Sequence, residues 1–332
     1  MADPTLTIAW LILGHLLADF VFQTDRIAFA KAAPGARAWL GLGAHGIVVA
    51  VLLVPVALAF GAPGAVTVVV IAVSHALVDR SKILLTRRAE ARALRTSRHE
   101  PRGSAGGFVG HGWTPVPAAL FIADQVVHAA IIGTAWAIWL ASAPLTPSWV
   151  ATVDQVLGGW DAAAVHATTL SLVVVAALAV ANVRGGAFFV EALVDPRRTA
   201  DGMSTSPGDS VDGASPSPAA QGPDQSPGIA SRIPGSDVPP PRIVTTRIVR
   251  PLPPDRVGAT IGVLERLLIV TFILTANQAA VGFVIAAKTL ARFKQLDDRE
   301  FAEYYLLGTL ASVSIAVATG LLAAAALATI PA

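Results

Sequence analysis

The most apolar stretches of this chain carry side chains that hydrocarbon does not tolerate, and carry them at helical spacing. His15, Asp19 and Gln23 stand at i, i+4 and i+8. His75 and Asp79 stand at i and i+4, with Lys82 a turn further on. Asp124, Gln125 and His128 repeat the pairing in reverse order, and His45 stands alone in another such stretch. Residues four apart share a helix face, so each stretch offers one polar stripe. An Asp near the middle of a spanning helix costs roughly 2.5–3.5 kcal/mol. Three left unpaired cost on the order of 8–10 kcal/mol, comparable to the whole stability of a domain. They must face inward and find partners. Lys82 can serve one carboxylate at the interface, and no cation in this block reaches all three. The remaining compensation is a proton on Asp, charge on imidazole, or a bound metal ion.

Imidazole and carboxylate without thiolate are ligands for Zn, with Mn or Fe as alternatives. In that chemistry His15, His45, His75 and His128 are neutral ligands. Asp19, Asp79 and Asp124 are ligands or orient the His side chains, and one of them acts as general base. Gln23 and Gln125 donate hydrogen bonds to substrate oxygens. Seven candidate ligands exceed one tetrahedral shell, which leaves two metals, or one metal with Asp supporting His from behind. Two other readings compete: a proton or cation pathway without a fixed metal, and a hydrogen-bonded network that merely packs helices.

The elements that must position these residues are membrane-spanning helices. The chain has 332 residues, 54% hydrophobic and 14% charged, with a mean hydropathy of +0.63. Soluble domains carry about 25% charged residues, so too few charges are available to cover a water-facing surface. The absence of Cys excludes disulfides, thiolate metal sites and a Cys nucleophile. A net charge of +2 excludes a dominant basic face and argues against nucleic acid as a partner. Apolar stretches near the ~20 residues a bilayer requires lie at about 5–25, 39–60, 64–84, 116–141, 165–183, 258–285 and 303–328. Strand-like alternation is missing, so the expected fold is all-α, a polytopic bundle of about seven spans. The first span is expected to be retained: Ala28-Phe29-Ala30 imitates a cleavage site, but its leader has Asp3 and no Lys or Arg.

Lys and Arg crowd the segments after spans one, three and five and are missing between spans two and three and between four and five. The positive-inside rule then puts the N-terminus outside and the segment after span five in the cytoplasm. The basic loop of Lys288, Arg292, Lys294 and Arg299 disagrees with this count, unless the last hairpin does not fully cross. On this orientation the seven His and Asp positions fall roughly 6–13 residues from the cytoplasmic ends, or about 9–20 Å deep at helical rise. They share one layer.

Three parts are expected: a five-helix module at 1–195 with the His/Asp cluster, a linker at 196–256, and a terminal helical hairpin at 257–332. The linker holds 13 of the 23 Pro and no apolar period, so it is expected to be disordered. It is either a spacer or a docking tail for a cytoplasmic protein. Residues 87–102, rich in Arg, are expected as a helix extension near anionic headgroups. His99, His111 and His166 read as surface residues, with His111 placed to cap the site from below. Asn182 with Arg184-Gly185-Gly186 reads as the end of span five. In the hairpin, Lys288 is expected to be buried with Glu265 or Glu303 as partner. No nucleotide loop, nucleophile elbow or His-Glu-x-x-His helix is present.

The motif His-Leu-Leu-Ala-Asp-Phe-x-x-Gln-Thr-Asp at 15–25, followed by His45, Ser74-His75-x-x-x-Asp79 and Asp124-Gln125-x-x-His128, resembles the bacterial integral membrane family known as domain of unknown function 3307. Longer members resemble the chain again at Glu265-Arg266, Ala286-Ala287-Lys288, Arg292-Phe293, Glu303-Tyr304 and Gly308-Thr309. The likeness covers roughly 10–130 and 260–315. It implies an integral membrane protein built around these residues, and no established activity. A looser likeness to membrane-bound metal-dependent hydrolases is an analogy of His and Asp placement. The expected protein therefore sits in the bacterial inner membrane, among lipids, with a divalent-metal site. Its expected reaction is hydrolysis of a lipid-linked or small-molecule ester or phosphoester. A cation or proton-coupled transporter and a non-catalytic scaffold are the alternatives.

Overall fold

A computed structural model describes residues 3–97, 115–194 and 254–330. All regular structure among them is helical. In chain order the helices are α1 (Pro4–Phe20), α2 (Asp25–Ala32), α3 (Ala36–Leu52), α4 (Val54–Phe60), α5 (Ala62–Ser97), α6 (Val116–Ala135), α7 (Pro147–Leu157), α8 (Ala162–Val180) and α9 (Gly186–Val194). After the linker come α10 (Pro254–Leu274), α11 (Ala279–Ala291) and α12 (Arg299–Leu327). A helix satisfies its own backbone polar groups, which is what an apolar stretch needs inside a bilayer. Starts are set locally. Asp3 accepts from Leu6 N at 2.6 Å with Pro4 in the first turn, Asp161 caps α8 at 2.8 Å, and Asp298 caps α12 at 3.0 Å.

Among the described residues, four helices are long and apolar enough to cross a membrane: Ala62–Ala89, Val116–Leu140, Ala162–Val194 and Phe301–Leu327. Two bent pairs bring the number to as many as six, where each pair counts as one span: α1 with α2, turned by 82°, and α3 with α4, turned by 49°. The expectation of about seven spans is thus met by four to six. The shortfall lies at 258–285. There α10 ends, Ala276 adopts a positive φ of 55°, and the chain restarts as the 13-residue α11. Asn277 and Gln278 mark this break. At 1.5 Å per residue α11 is about 20 Å long, too short to span alone. Span five differs in the opposite sense. It does not end at Asn182 but continues to Val194 through a π-helical segment at Ala181–Gly185.

Contacts fix the directions. Asp3 meets His166 at 3.8 Å and Phe20 packs at Gly185, so α1 runs parallel to α8 and α9. Lys82 meets Asp124 while His75 meets His128, so α5 and α6 are antiparallel. Asn182 bonds Thr319 and Gly308 lies beside Val194, so α12 runs against α8 and α9. Arg266 bonds Ser312 and Gly320 lies beside Ile273, so α12 runs parallel to α10. Between them α11 folds back on α10, with Lys288 at 2.5 Å from Glu265. The basic stretch 292–299 is therefore at the end of the bundle where α9 finishes and α10 begins. This geometry removes the conflict in the charge count.

Two buried cores share α1. Leu11 and Ala18 join Val49, Leu53, Phe60, Ile71 and Ile132 in the first. Leu6 and Ala9 pack on the second, built from Leu170, Val174, Ile269, Ile273 and Ala316. The outer face is apolar, with Leu40, Leu310, Leu322 and Phe283 exposed, as expected of helices solvated by lipid.

Candidate metal centre

The four helices α1, α3, α5 and α6 bring all seven predicted His and Asp residues together. Their helical spacing turns each pair inward, and the alternating directions place them at one depth. His45 is 0% exposed and His75 1%, and His15, Asp79, Asp124 and His128 are also buried. The imidazole rings touch in sequence: His45 to His75 at 4.9 Å between centroids, His75 to His128 at 4.2 Å, and His128 to His15 at 4.7 Å.

At the middle is a triangle. Asp19 Oδ1 lies 3.0 Å from His45 Nε2 and 3.0 Å from His75 Nε2, and those two nitrogens are 2.9 Å apart. One proton can serve only one edge of such a triangle. An ion bonded at about 2.0–2.2 Å to imidazole nitrogen and carboxylate oxygen has ligand atoms about 3.3–3.6 Å apart in a tetrahedral shell and about 2.8–3.1 Å apart at right angles, a range that takes in the observed edges. His128 adds a further observation. Its Nδ1 donates to the Asp124 carbonyl oxygen at 2.9 Å, which leaves Nε2 as the lone-pair nitrogen, and Nε2 is buried without a hydrogen-bond partner. Holding one ring nitrogen to free the other is how proteins orient metal-binding imidazoles. His128 is alone in this: Nδ1 of His15, His45 and His75 is buried and unpartnered. By donor type, spacing and a free lone pair, the residues fit a divalent transition metal.

The other two carboxylates are already paired. Lys82 Nζ reaches Asp124 Oδ2 at 2.8 Å and lies over the Phe121 ring. Lys31 Nζ bonds Asp79 Oδ2 and is held by Gln23 Oε1 at 2.5 Å. Lys31 is the residue that sequence reasoning misplaced, as an ordinary charge of the loop after span one. The 82° turn after Phe20 and the Thr24-capped α2 carry it back into the cluster, 6% exposed. Its signal was faint: a lysine eight positions beyond Gln23, on a segment too short and polar to be read as a span. With neutral imidazoles, three carboxylates against two ammonium groups leave one net negative charge, in place of the two that remain when Lys82 alone is counted.

Both glutamines bond within the cluster. Gln23 accepts from Lys31, and Gln125 links His15 Nε2 at 3.3 Å, Asp124 Oδ2 at 3.1 Å and Asp19 Oδ2 at 3.5 Å. Of the remaining His residues, His166 pairs with Asp3 near the start of α8. His99, His111 and the 196–253 part of the linker lie outside the described residues.

A second polar centre lies among α8, α9, α10 and α12. Arg266 is 3% exposed, donates from Nε to the Asn182 carbonyl at 2.7 Å and from Nη1 to Ser312 Oγ at 3.1 Å. That carbonyl lies in the π-helical segment Ala181–Gly185, and Gly186 makes the room: a Cβ there would lie 2.8 Å from Arg266 Nε. Lys288 pairs with Glu265, as one of its two expected partners.

Residues 7–157 match a protein family described only as being of unknown function, DUF3307. The match contains the whole His/Asp centre and both lysines and stops before α8. No curated protein and no solved structure matches the chain.

Proposed function

We propose, from this site and the match of residues 7–157 to the DUF3307 family model, that the chain is an integral membrane metalloprotein whose metal is held by the centre of α1, α3, α5 and α6. The observation that carries this reading is the convergence of Asp19 Oδ1, His45 Nε2 and His75 Nε2, with His128 Nε2 buried and unpartnered beside them. Zinc suits the donor set best, with manganese and iron as the other candidates. The metal would supply Lewis-acid polarisation of a carbonyl or phosphoryl oxygen. The reaction class is then hydrolysis of an ester or phosphoester, lipid-linked or small. Asp19 is placed to take a proton on Oδ2, the oxygen outside the triangle, and Gln125 holds that oxygen and His15 in register.

A cation-transfer reading has its own support. The cluster is buried nearly completely, and its imidazoles form a continuous row from α3 through α5 to α6 and α1, which suits an ion passing between half-sites. The orientation supported by the charge count has the N-terminus outside and the linker in the cytoplasm of a bacterial inner membrane. The basic stretch 292–299 lies at the linker end of the bundle and agrees with it.

Metal analysis of the detergent-purified full chain tests the reading. Wild type is expected to retain metal through desalting, and His75→Ala and Asp19→Ala to lose it. Wild-type protein that neither carries nor takes up zinc, manganese or iron would overturn it. Reconstitution into vesicles then separates the two forms. Metal flux without cleavage of chromogenic esters or phosphoesters favours transfer, and cleavage without flux favours the enzyme.

A further inference from the structure

Three overlapping groups in the cluster each bring ligand atoms within 4.8 Å of one another: His15, His75 and His128; Asp19, His45 and His75; Asp79, Asp124 and His128. Donor count alone would admit two ions, and two-metal hydrolytic sites with centres about 3.5–4 Å apart are common. The charges within the cluster point elsewhere. The acidic members of the third group each hold an ammonium, Lys31 on Asp79 and Lys82 on Asp124.

We infer that Lys31 and Lys82 are built-in counter-cations that close the Asp79/Asp124/His128 group and limit the centre to a single divalent ion at Asp19, His45 and His75. The inference rests on the metal reading above and adds to it the number of ions and the residues that set it. One divalent ion turns the net charge of the centre from −1 to +1. A second would raise it to +3 in surroundings of low dielectric, beside two fixed ammonium groups, where like charges repel strongly. The ammonium groups are not loose. Lys31 is fixed by Gln23 as well as Asp79, and α2 is clamped onto α3 at Gly41, where a Cβ would lie 2.5 Å from Lys31 N. Arg87 bonds the Ala32 carbonyl and ties the end of α2 to α5. Lys82 rests on the Phe121 ring. The arrangement selects by charge: a single divalent cation is admitted, the carboxylates of the Asp79/Asp124/His128 group are both occupied, and the His15/His75/His128 group shares His75 with the first ion and offers a second no carboxylate.

The test is zinc stoichiometry on the full chain in detergent, loaded with zinc chloride, desalted and measured by elemental mass spectrometry. Wild type is expected at one zinc per chain and Lys31→Arg at the same value. Lys31→Met and Lys82→Met are each expected to rise towards two, and Lys31→Met combined with Asp79→Asn to return to one. Wild type at two zinc per chain would overturn the inference and leave the metal reading standing. So would both Met variants remaining at one. Wild type at zero would remove the metal reading and the inference with it. Should Lys31→Met fail to fold, Lys82→Met decides, because Lys82 is partly exposed and its loss leaves the α2 clamp intact.

Discussion

Both halves of the bundle bury charge, and they compensate it differently. Around Arg266 a cation donates to two neutral acceptors, the Asn182 carbonyl in a π-helical turn and the Ser312 hydroxyl. Nearby, Lys288 and Glu265 satisfy each other. Around Asp19 the position is reversed. Two imidazole nitrogens and a carboxylate oxygen meet in one small volume beside the His128 ring, with one negative charge left over after the lysines are counted and the imidazoles taken as neutral. Polar atoms in a membrane interior are therefore not enough to mark a site. The Arg266 region joins α10 and α12 to α8 and α9, whereas the Asp19 region packs imidazole nitrogens against a carboxylate oxygen, the arrangement on which the proposed metal site rests.

The largest expected effect follows from that distinction. Asp19→Ala or His75→Ala should weaken zinc binding by more than 100-fold, because removing even the outer partners of a ligand costs 10–100-fold. Competition with a chromogenic chelator measures it. Arg266→Gln should leave zinc affinity within twofold, and a comparable loss there would erase the contrast between the two regions. Next come two glycines. Gly41→Ala drives a methyl into the backbone of α2, and Gly186→Ala drives one into the Arg266 guanidinium. Each is expected to destabilise by roughly 1–3 kcal/mol as overpacking, read from thermal unfolding in detergent. Of the two, Gly186→Ala alone should preserve zinc affinity. Gln125→Ala removes the support of His15 and Asp19, and about a tenfold loss of zinc affinity is expected. The smallest effect is Ser312→Ala, which removes one interhelical hydrogen bond worth about 0.6 kcal/mol. A loss above ~2 kcal/mol would show that the Arg266 region is more than a joint.

Much of the fold and the cluster was legible in the sequence for physical reasons. A charged residue inside an apolar stretch must face inward, so the i, i+4 pairs of α1, α5 and α6 announced which helices meet. Hydropathy measures length and apolarity but not bends, so α1 with α2 and α3 with α4 looked like straight spans. The stretch 258–285 read as one helix, although Asn277 and Gln278 stood where it breaks. Asn182 was read as a helix end because it is polar. It is a buried joint instead, reached only when α10 and α12 are packed against it. Lys31 was beyond reach for the same reason: its burial depends on a turn of the chain and not on its own neighbours.

One feature of α1 bears on how much of this chain can stand alone. The family match ends at residue 157, yet the Leu6 and Ala9 side of α1 lies against α8, α10 and α12. A protein cut after α7 keeps every ligand and both lysines but strips the back of the helix that carries two of them. Its performance as an isolated fragment would then depend on whether lipid acyl chains, or a second copy, can wedge α1 as firmly as the missing helices do.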